Sequence, residues 1–250
     1  EGFDINMGCP VYKIVHQFNG AALMKEPDLA VAIIKKIKER IHVPLSIKIR
    51  TGWSDARECL TFSKIIEDAG ADMITIHGRT KIQGYSGQSD WQRIAQMKQG
   101  VFIPVLANGD IHTPVLTLDA LAQTGCDGVL LARGALGNPW IFSQIQEILA
   151  GIEPTPIDVH ERVRVMKQHL SFHLEQYGEG GVVTFRKHLC WYLKGVPRMK
   201  SFKQRLMETR SSQELDIILE QITADSSLDN HLTWRDALHP FASIRLPLSK

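Results

Sequence analysis

Long apolar runs are missing from this chain. No stretch of its 250 residues approaches the roughly 20 that a membrane-spanning helix needs. No charged segment followed by an apolar one opens it, so a secretory leader is not indicated. Neither charge sign is in excess. Lys plus Arg number 29 against 27 Asp plus Glu, and a net charge of +2 singles out no class of partner. Cysteine is scarce too: Cys9, Cys59, Cys126 and Cys190 lie far apart with no CxxC pair. A disulfide framework or a structural zinc site is therefore not expected, no metal is called for, and a reducing cytoplasm is the default location. What is present is 44% hydrophobic residues, enough for a sizeable core.

The first 150 residues alternate short apolar runs with longer amphipathic ones. Strands are expected at 2–6, 44–49, 72–77, 102–107 and 127–132, and helices at 27–40, 57–69, 90–98, 114–124 and 139–149. Pro27, Pro114 and Pro139 suit first helical turns, and Gly70, Gly100 and Gly125 suit left-handed caps. Such alternation means a parallel sheet covered by helices. From about 157 the strand patterns stop. Helical periodicity then runs over 157–177, 182–194, 199–209 and 212–223, broken at Gly178–Gly181. The expected organisation is a β/α domain over 1–150 and a helical domain over 151–250. The chain opens at Glu1 without a Met, in what reads as mid-strand, so a preceding segment is expected.

Five βα units fit either a doubly wound sheet or a barrel that lacks its first strands. Residues 45–50 read Leu-Ser-Ile-Lys-Ile-Arg, which places Ser46, Lys48 and Arg50 on one face. A lysine buried under a helix layer is costly unless paired, whereas a barrel's inner face near the strand C-termini is where ligands bind. The barrel is the better reading: a TIM-type (β/α)8 barrel lacking its first strands, followed by an all-α bundle.

Every expected strand ends in polar groups: Asn6 and Cys9, then Lys48 and Arg50, His77 and Arg79, Asn108-Gly109-Asp110, and Ala132-Arg133. Cys9, in a tight Gly8-Cys9-Pro10 loop, suits a nucleophile or a proton donor, against the plainer reading of a buried thiol. Lys48 suits a Schiff base or an anion stabiliser, against a solvated strand end. His77 by itself is as well read as a core histidine. Asn108-Gly109-Asp110 alone is explained by a turn, but with Arg133 one loop on it suits a phosphate.

The runs Asp4-Ile-Asn-Met-Gly-Cys-Pro10, Lys48-Ile-Arg-Thr-Gly52, Ile76-His-Gly-Arg-Thr80, Ala107-Asn-Gly-Asp110, Arg133-Gly-Ala-Leu-Gly-Asn-Pro-Trp140 and Phe185-Arg-Lys-His-Leu-Cys-Trp-Tyr-Leu-Lys-Gly195 carry a resemblance. In order and spacing, nearly all of 1–223 resembles the bacterial tRNA-dihydrouridine synthases. The resemblance implies an FMN enzyme that reduces uridines of tRNA to 5,6-dihydrouridine with NADPH as reductant. It implies Cys9 as the acid that protonates C5, and Asn6, with Arg50 and Arg79, near the uracil. Lys48 and His77 would lie at the flavin ring, and Asn108, Gly109, Asp110, Ala132 and Arg133 at its phosphate. Position 132 is Ala where the family commonly has Gly, and the family's barrel has three strands ahead of the one carrying Asn6.

Between Arg186 and Met207 there are seven basic residues and no acidic one: Arg186, Lys187, Lys194, Arg198, Lys200, Lys203 and Arg205, interleaved with His188, Trp191, Tyr192 and Phe202. Cations of this kind hold RNA phosphates and exposed aromatics can stack bases, so a tRNA-binding role is expected of the helical part. A solvated helix face with Trp191 and Tyr192 in the core is the alternative. Two other functions fit the same chain: a flavin barrel oxidoreductase acting on a small pyrimidine-like substrate, and a non-catalytic RNA-binding remnant. A monomer is the expectation.

Overall fold

The computed structural model describes residues 1–196 and 199–225, apart from the side chain of Lys200. Five strands form one sheet: β1 (Phe3–Asn6), β2 (Leu45–Arg50), β3 (Met73–His77), β4 (Val105–Asn108) and β5 (Gly128–Leu130). All neighbours are parallel and the spatial order is the chain order, β1 to β5. A doubly wound sheet would reverse its order at a switch point. This one does not, and it has the pattern of a barrel wall.

The helices between strands are α2 (Pro27–Lys38), α3 (Glu58–Asp68), α4 (Trp91–Lys98) and α5 (Pro114–Thr124). Each packs against the next, so they form one layer. Beneath them lie Leu45, Ile47, Ile49, Ile74, Ile76, Val105 and Ala107, all fully buried, joined by Ile34, Phe62, Ile66, Ile94 and Met97 from the helices. Alternation along each strand puts the intervening residues on the opposite face, and the polar ones are among those.

Local chemistry sets the element limits. Asp90 and Thr113 accept the N–H groups of Arg93 and Leu116 at 2.8 and 3.1 Å, capping α4 and α5. Gly125 ends α5 at φ +63° and Gly70 follows α3 at φ +104°. Gly100 departs from expectation, because α4 closes through Gln99 in right-handed geometry and Gly100 has no positive φ. The fourth strand starts at Val105 rather than 102, since Pro104 lacks the N–H that would extend pairing and Phe102 and Ile103 donate instead to Glu67. The fifth is likewise shorter than expected.

Two strand starts share a device. Asp72 accepts the N–H of Leu45 and the ammonium of Lys38, both at 2.7 Å. Asp127 accepts the N–H of Val105 and pairs with Lys98, again at 2.7 Å each. The first follows Gly70-Ala71 and the second Gly125-Cys126, so the same clamp recurs two strands apart.

Between β1 and α2 the chain makes a short helix, α1 (Tyr12–Val15), and a 3-10 segment, Gly20–Lys25, that buries Ala21, Ala22, Leu23 and Met24. Neither was expected from the sequence, because both are too short to show periodicity.

The chain divides into two compact units, Glu1–Ala132 and from Arg133 onward. The expected boundary was 150. In the second unit α6 (Ile141–Leu149) is preceded by Trp140, whose indole N–H donates to Glu161 at 3.0 Å. Gly137, at φ +66°, lies so close to the backbone of Trp191 and Tyr192 that a Cβ would collide with it. Pro139 accordingly sits ahead of α6 rather than in its first turn. The remaining helices are α7 (Val159–Tyr177), α8 (Gly181–Tyr192), α9 (Lys200–Glu208) and α10 (Ser212–Ala224). Their core contains Val163, Met166, Phe185, Leu189, Leu215 and Ile222. No helix among the described residues is long and apolar enough to cross a membrane.

Candidate active site

The strand register lines up the polar side chains of the sheet face opposite α2 to α5 in two rows. Asn6 is level with Lys48 and Thr75, and Arg50 is level with His77, Asn108 and Leu130. The second row forms the C-terminal rim. Six positions that the sequence scatters over 103 residues (6 to 108) are thereby brought onto one surface by regular pairing alone.

Lys48 donates to the side-chain oxygen of Asn108 at 3.2 Å, and Asn108 in turn donates to the carbonyl of Leu130 at 2.7 Å. Burial, then the charge of Arg50, lowers the pKa of Lys48, with Asp4 acting the other way. His77 is 8% exposed and its Nδ1 is buried with no hydrogen-bond partner among the described residues. Burial first, then the cations Arg50, Lys48 and Arg79, push its pKa down to about 3. The imidazole is therefore neutral at any physiological pH. A neutral ring with an unmatched nitrogen is ready for a ligand's polar edge.

Arg79 is 3% exposed. It donates to the carbonyls of Ser86 and Gly87 at 3.0 and 2.5 Å and to the carboxylate of Asp110 at 2.8 Å, while its Nη1 is buried and unmatched. Asp110 also accepts the Ser89 N–H at 2.8 Å. Burial works to raise the Asp110 pKa, but that N–H and the Arg79 guanidinium outweigh it and the value falls. The backbone here is tight. Gly109 has φ +118° and a Cβ on it would run into Ser89, while Asp110 itself takes φ +59°.

Cys9 is partly exposed and its thiol is free. Its loop is tied on every side. The Gly8 N–H donates to Asn6 at 3.0 Å, the Gly8 carbonyl accepts Arg50 Nε at 2.7 Å, and the Ala21 N–H donates to the Cys9 carbonyl at 3.0 Å. Gly20, at φ +58°, lets the following turn press against Cys9. Residue-by-residue reading singled out Cys9 but not Ala21, Gly20, Thr80 or Gly84, whose contributions are backbone groups that any sequence supplies.

In the second unit Ala132's successor Arg133 is exposed, as are Lys187, Lys194, Lys203 and Arg205. Arg198 lies outside the described residues, as does the side chain of Lys200. Arg186 turns inward, donating to the carbonyls of Thr209 and Glu208 at the end of α9. Tyr192 is buried, with its hydroxyl 3.1 Å from His169, and Phe202 packs on the core. Trp191 is half-buried against His188. The interleaved aromatics thus serve packing first, and the exposed cations form the solvent-facing part. No group of three or more His, Cys, Asp or Glu among the described residues is arranged to hold a metal.

The model of the family described as dihydrouridine synthase matches residues 1–228. The probable tRNA-dihydrouridine synthase 1 of Synechocystis sp. is 38% identical over 230 residues, 91% of this chain and 65% of that protein. The probable tRNA-dihydrouridine synthase of Rickettsia conorii is 41% identical over 203 residues, 80% of this chain and 61% of its own. tRNA-dihydrouridine synthase B of Pseudomonas syringae pv. tomato is 40% identical over 214 residues, 83% of this chain and 64% of its own. The chain thus spans a little under two thirds of the length of these relatives.

Proposed function

Because the chain belongs to the dihydrouridine synthase family, we propose that its polar face is the working surface of an FMN-dependent reductase that converts uridines of tRNA to 5,6-dihydrouridine. The observation that carries the reading is the polar face itself: Lys48, His77 and Asn108 gather on the sheet face opposite α2 to α5, with a free thiol on the adjoining loop.

The residues present fit a flavin. An ammonium held by Asn108 and a neutral imidazole whose Nδ1 is unmatched among the described residues are suited to the polar edge of an isoalloxazine. FMN, when bound, supplies the hydride that adds to C6 of the uracil, and NADPH is the reductant that restores it. Lys48 places positive charge beside the ring and Asn108 fixes its direction. His77 offers a proton-sharing contact that does not change charge with pH. The main chain at Asn108, Gly109 and Asp110, with Ala132 and Arg133, is assigned to the phosphate on family resemblance. Asn6 orients the uracil. Cys9 gives its thiol proton to C5, completing the addition across the double bond. The exposed cations of α8 and α9 hold tRNA phosphates, which a uridine leaving its stack requires.

Titrating the purified chain with FMN, then supplying NADPH and unmodified tRNA, tests the reading. Saturable binding with one FMN per chain and tRNA-dependent NADPH oxidation are expected. Cys9→Ala is expected to keep FMN binding and to lower turnover by about 100- to 10,000-fold, the range a positioned proton donor contributes. Turnover of free uridine at the rate of tRNA would favour a small-molecule reductase instead.

A further inference from the structure

We propose that Arg50 is a positioning residue for Cys9, holding the loop from which the thiol projects. The inference rests on the reading of Cys9 as proton donor. Arg50 is 4% exposed, and no carboxylate among the described residues pairs with it. A buried guanidinium needs its donors matched, and here backbone carbonyls match Nε and Nη1. Nε donates to Gly8 at 2.7 Å, and Nη1 donates to Thr80 at 2.9 Å and to Gly84 at 2.8 Å. The guanidinium also lies 5.8 Å from the ring centre of Tyr85.

These acceptors belong to two loops. Gly8 follows β1 and Thr80–Gly84 follow β3, so a side chain at the end of β2 straps the loops of its two neighbours together. The Gly8 carbonyl is half of the peptide that leads into Cys9. With its N–H held by Asn6 and its carbonyl held by Arg50, Gly8 has little freedom, and the direction of the next side chain is set with it. Only a planar fork reaches acceptors on both sides at once. A lysine has the charge but a single head.

Arg50→Lys keeps the positive charge at this depth, so a change in Cys9 behaviour reports geometry. The readout is the rate at which a neutral alkylating reagent labels each cysteine, followed by mass spectrometry, with no flavin or tRNA present. Cys59 is fully buried in the core and reports unfolding, and Cys190 in the second unit is a reference. Labelling of Cys9 is expected to rise about ten-fold, the population change that a lost charge-assisted hydrogen bond carries, with Cys59 still protected. Gly8→Ala approaches the same contact from the loop side, since its Cβ would meet the Ile49 backbone at 3.2 Å and Arg50 at 3.5 Å. It is expected to free Cys9 similarly, and it supplies the test if Arg50→Lys does not fold. Cys9 labelling that stays within about two-fold in the folded variants overturns the proposal, since a held loop must loosen when its tie is cut. So does labelling of Cys59 in step with Cys9 in both variants, which would make Arg50 a support of the whole sheet. Failure of FMN binding or of tRNA reduction leaves this readout untouched, so the two readings fail separately.

Discussion

His77 stands among Lys48, Arg50 and Arg79, and this crowding has a measurable cost in acid. Its pKa is near 3 in the folded chain against an ordinary 6.5. The folded state therefore binds fewer protons than the unfolded one between those values. His77's contribution to stability is complete above about pH 6.5 and is lost as pH falls toward 3, with a limiting slope of about 1.4 kcal/mol per pH unit. Urea midpoints measured from pH 7 to 4 should fall less steeply in His77→Gln than in the parent chain, and equal slopes would remove His77 from the acid sensitivity. At this scale the sequence was a good guide to which residue types gather, because strand alternation alone puts Lys48, Arg50, Thr75 and His77 on one face. It was a poor guide to what each does. Arg50 and Arg79 read as substrate contacts, and the structure adds bonds from both to loop carbonyls that the reading did not include. Main-chain acceptors carry no sequence signature, so no reading of side chains would have found them.

Among elements, the long helices were legible to within two or three residues because their apolar stripes persist over several turns. The short ones were not, and α1 and the 3-10 segment before α2 are held by contacts rather than by pattern. The clamp made by Asp72 and Asp127 was invisible for a related reason. An aspartate after a Gly-Ala or Gly-Cys pair reads as a turn residue, and only the fold shows it receiving the first N–H of the preceding strand. Replacing either by Ala is expected to cost about 1 kcal/mol, the worth of a main-chain hydrogen bond near the surface. Chemical denaturation should show it. Asp72→Asn, which keeps an acceptor oxygen but not the charge drawn to Lys38, should recover part of the loss. Full recovery by Asn would assign the whole effect to the N–H, and none would assign it to the ammonium.

For the whole molecule, net charge near neutral concealed the basic stretch of the second unit, and only local counting revealed it. Exposed Lys203 and Arg205 project from α9, whereas Arg186 caps that helix. Lys203→Glu with Arg205→Glu should weaken tRNA binding and flatten the dependence of log K on log salt by about 1 for each lost phosphate contact. Arg186→Ala should lower stability first. An unchanged salt slope in the double reversal would move the RNA surface elsewhere. The consecutive order of the sheet also bears on how the protein is made. Among the described residues each strand hydrogen-bonds only to its neighbours in chain order. A ribosome extends a chain by about 5–20 residues per second, so the 20 to 40 residues between successive strands take a few seconds to emerge. Each of β2 to β5, on leaving the tunnel, finds a partner already outside. Within these five strands the order of pairing is the order of synthesis, and none of them has to be inserted between two already paired.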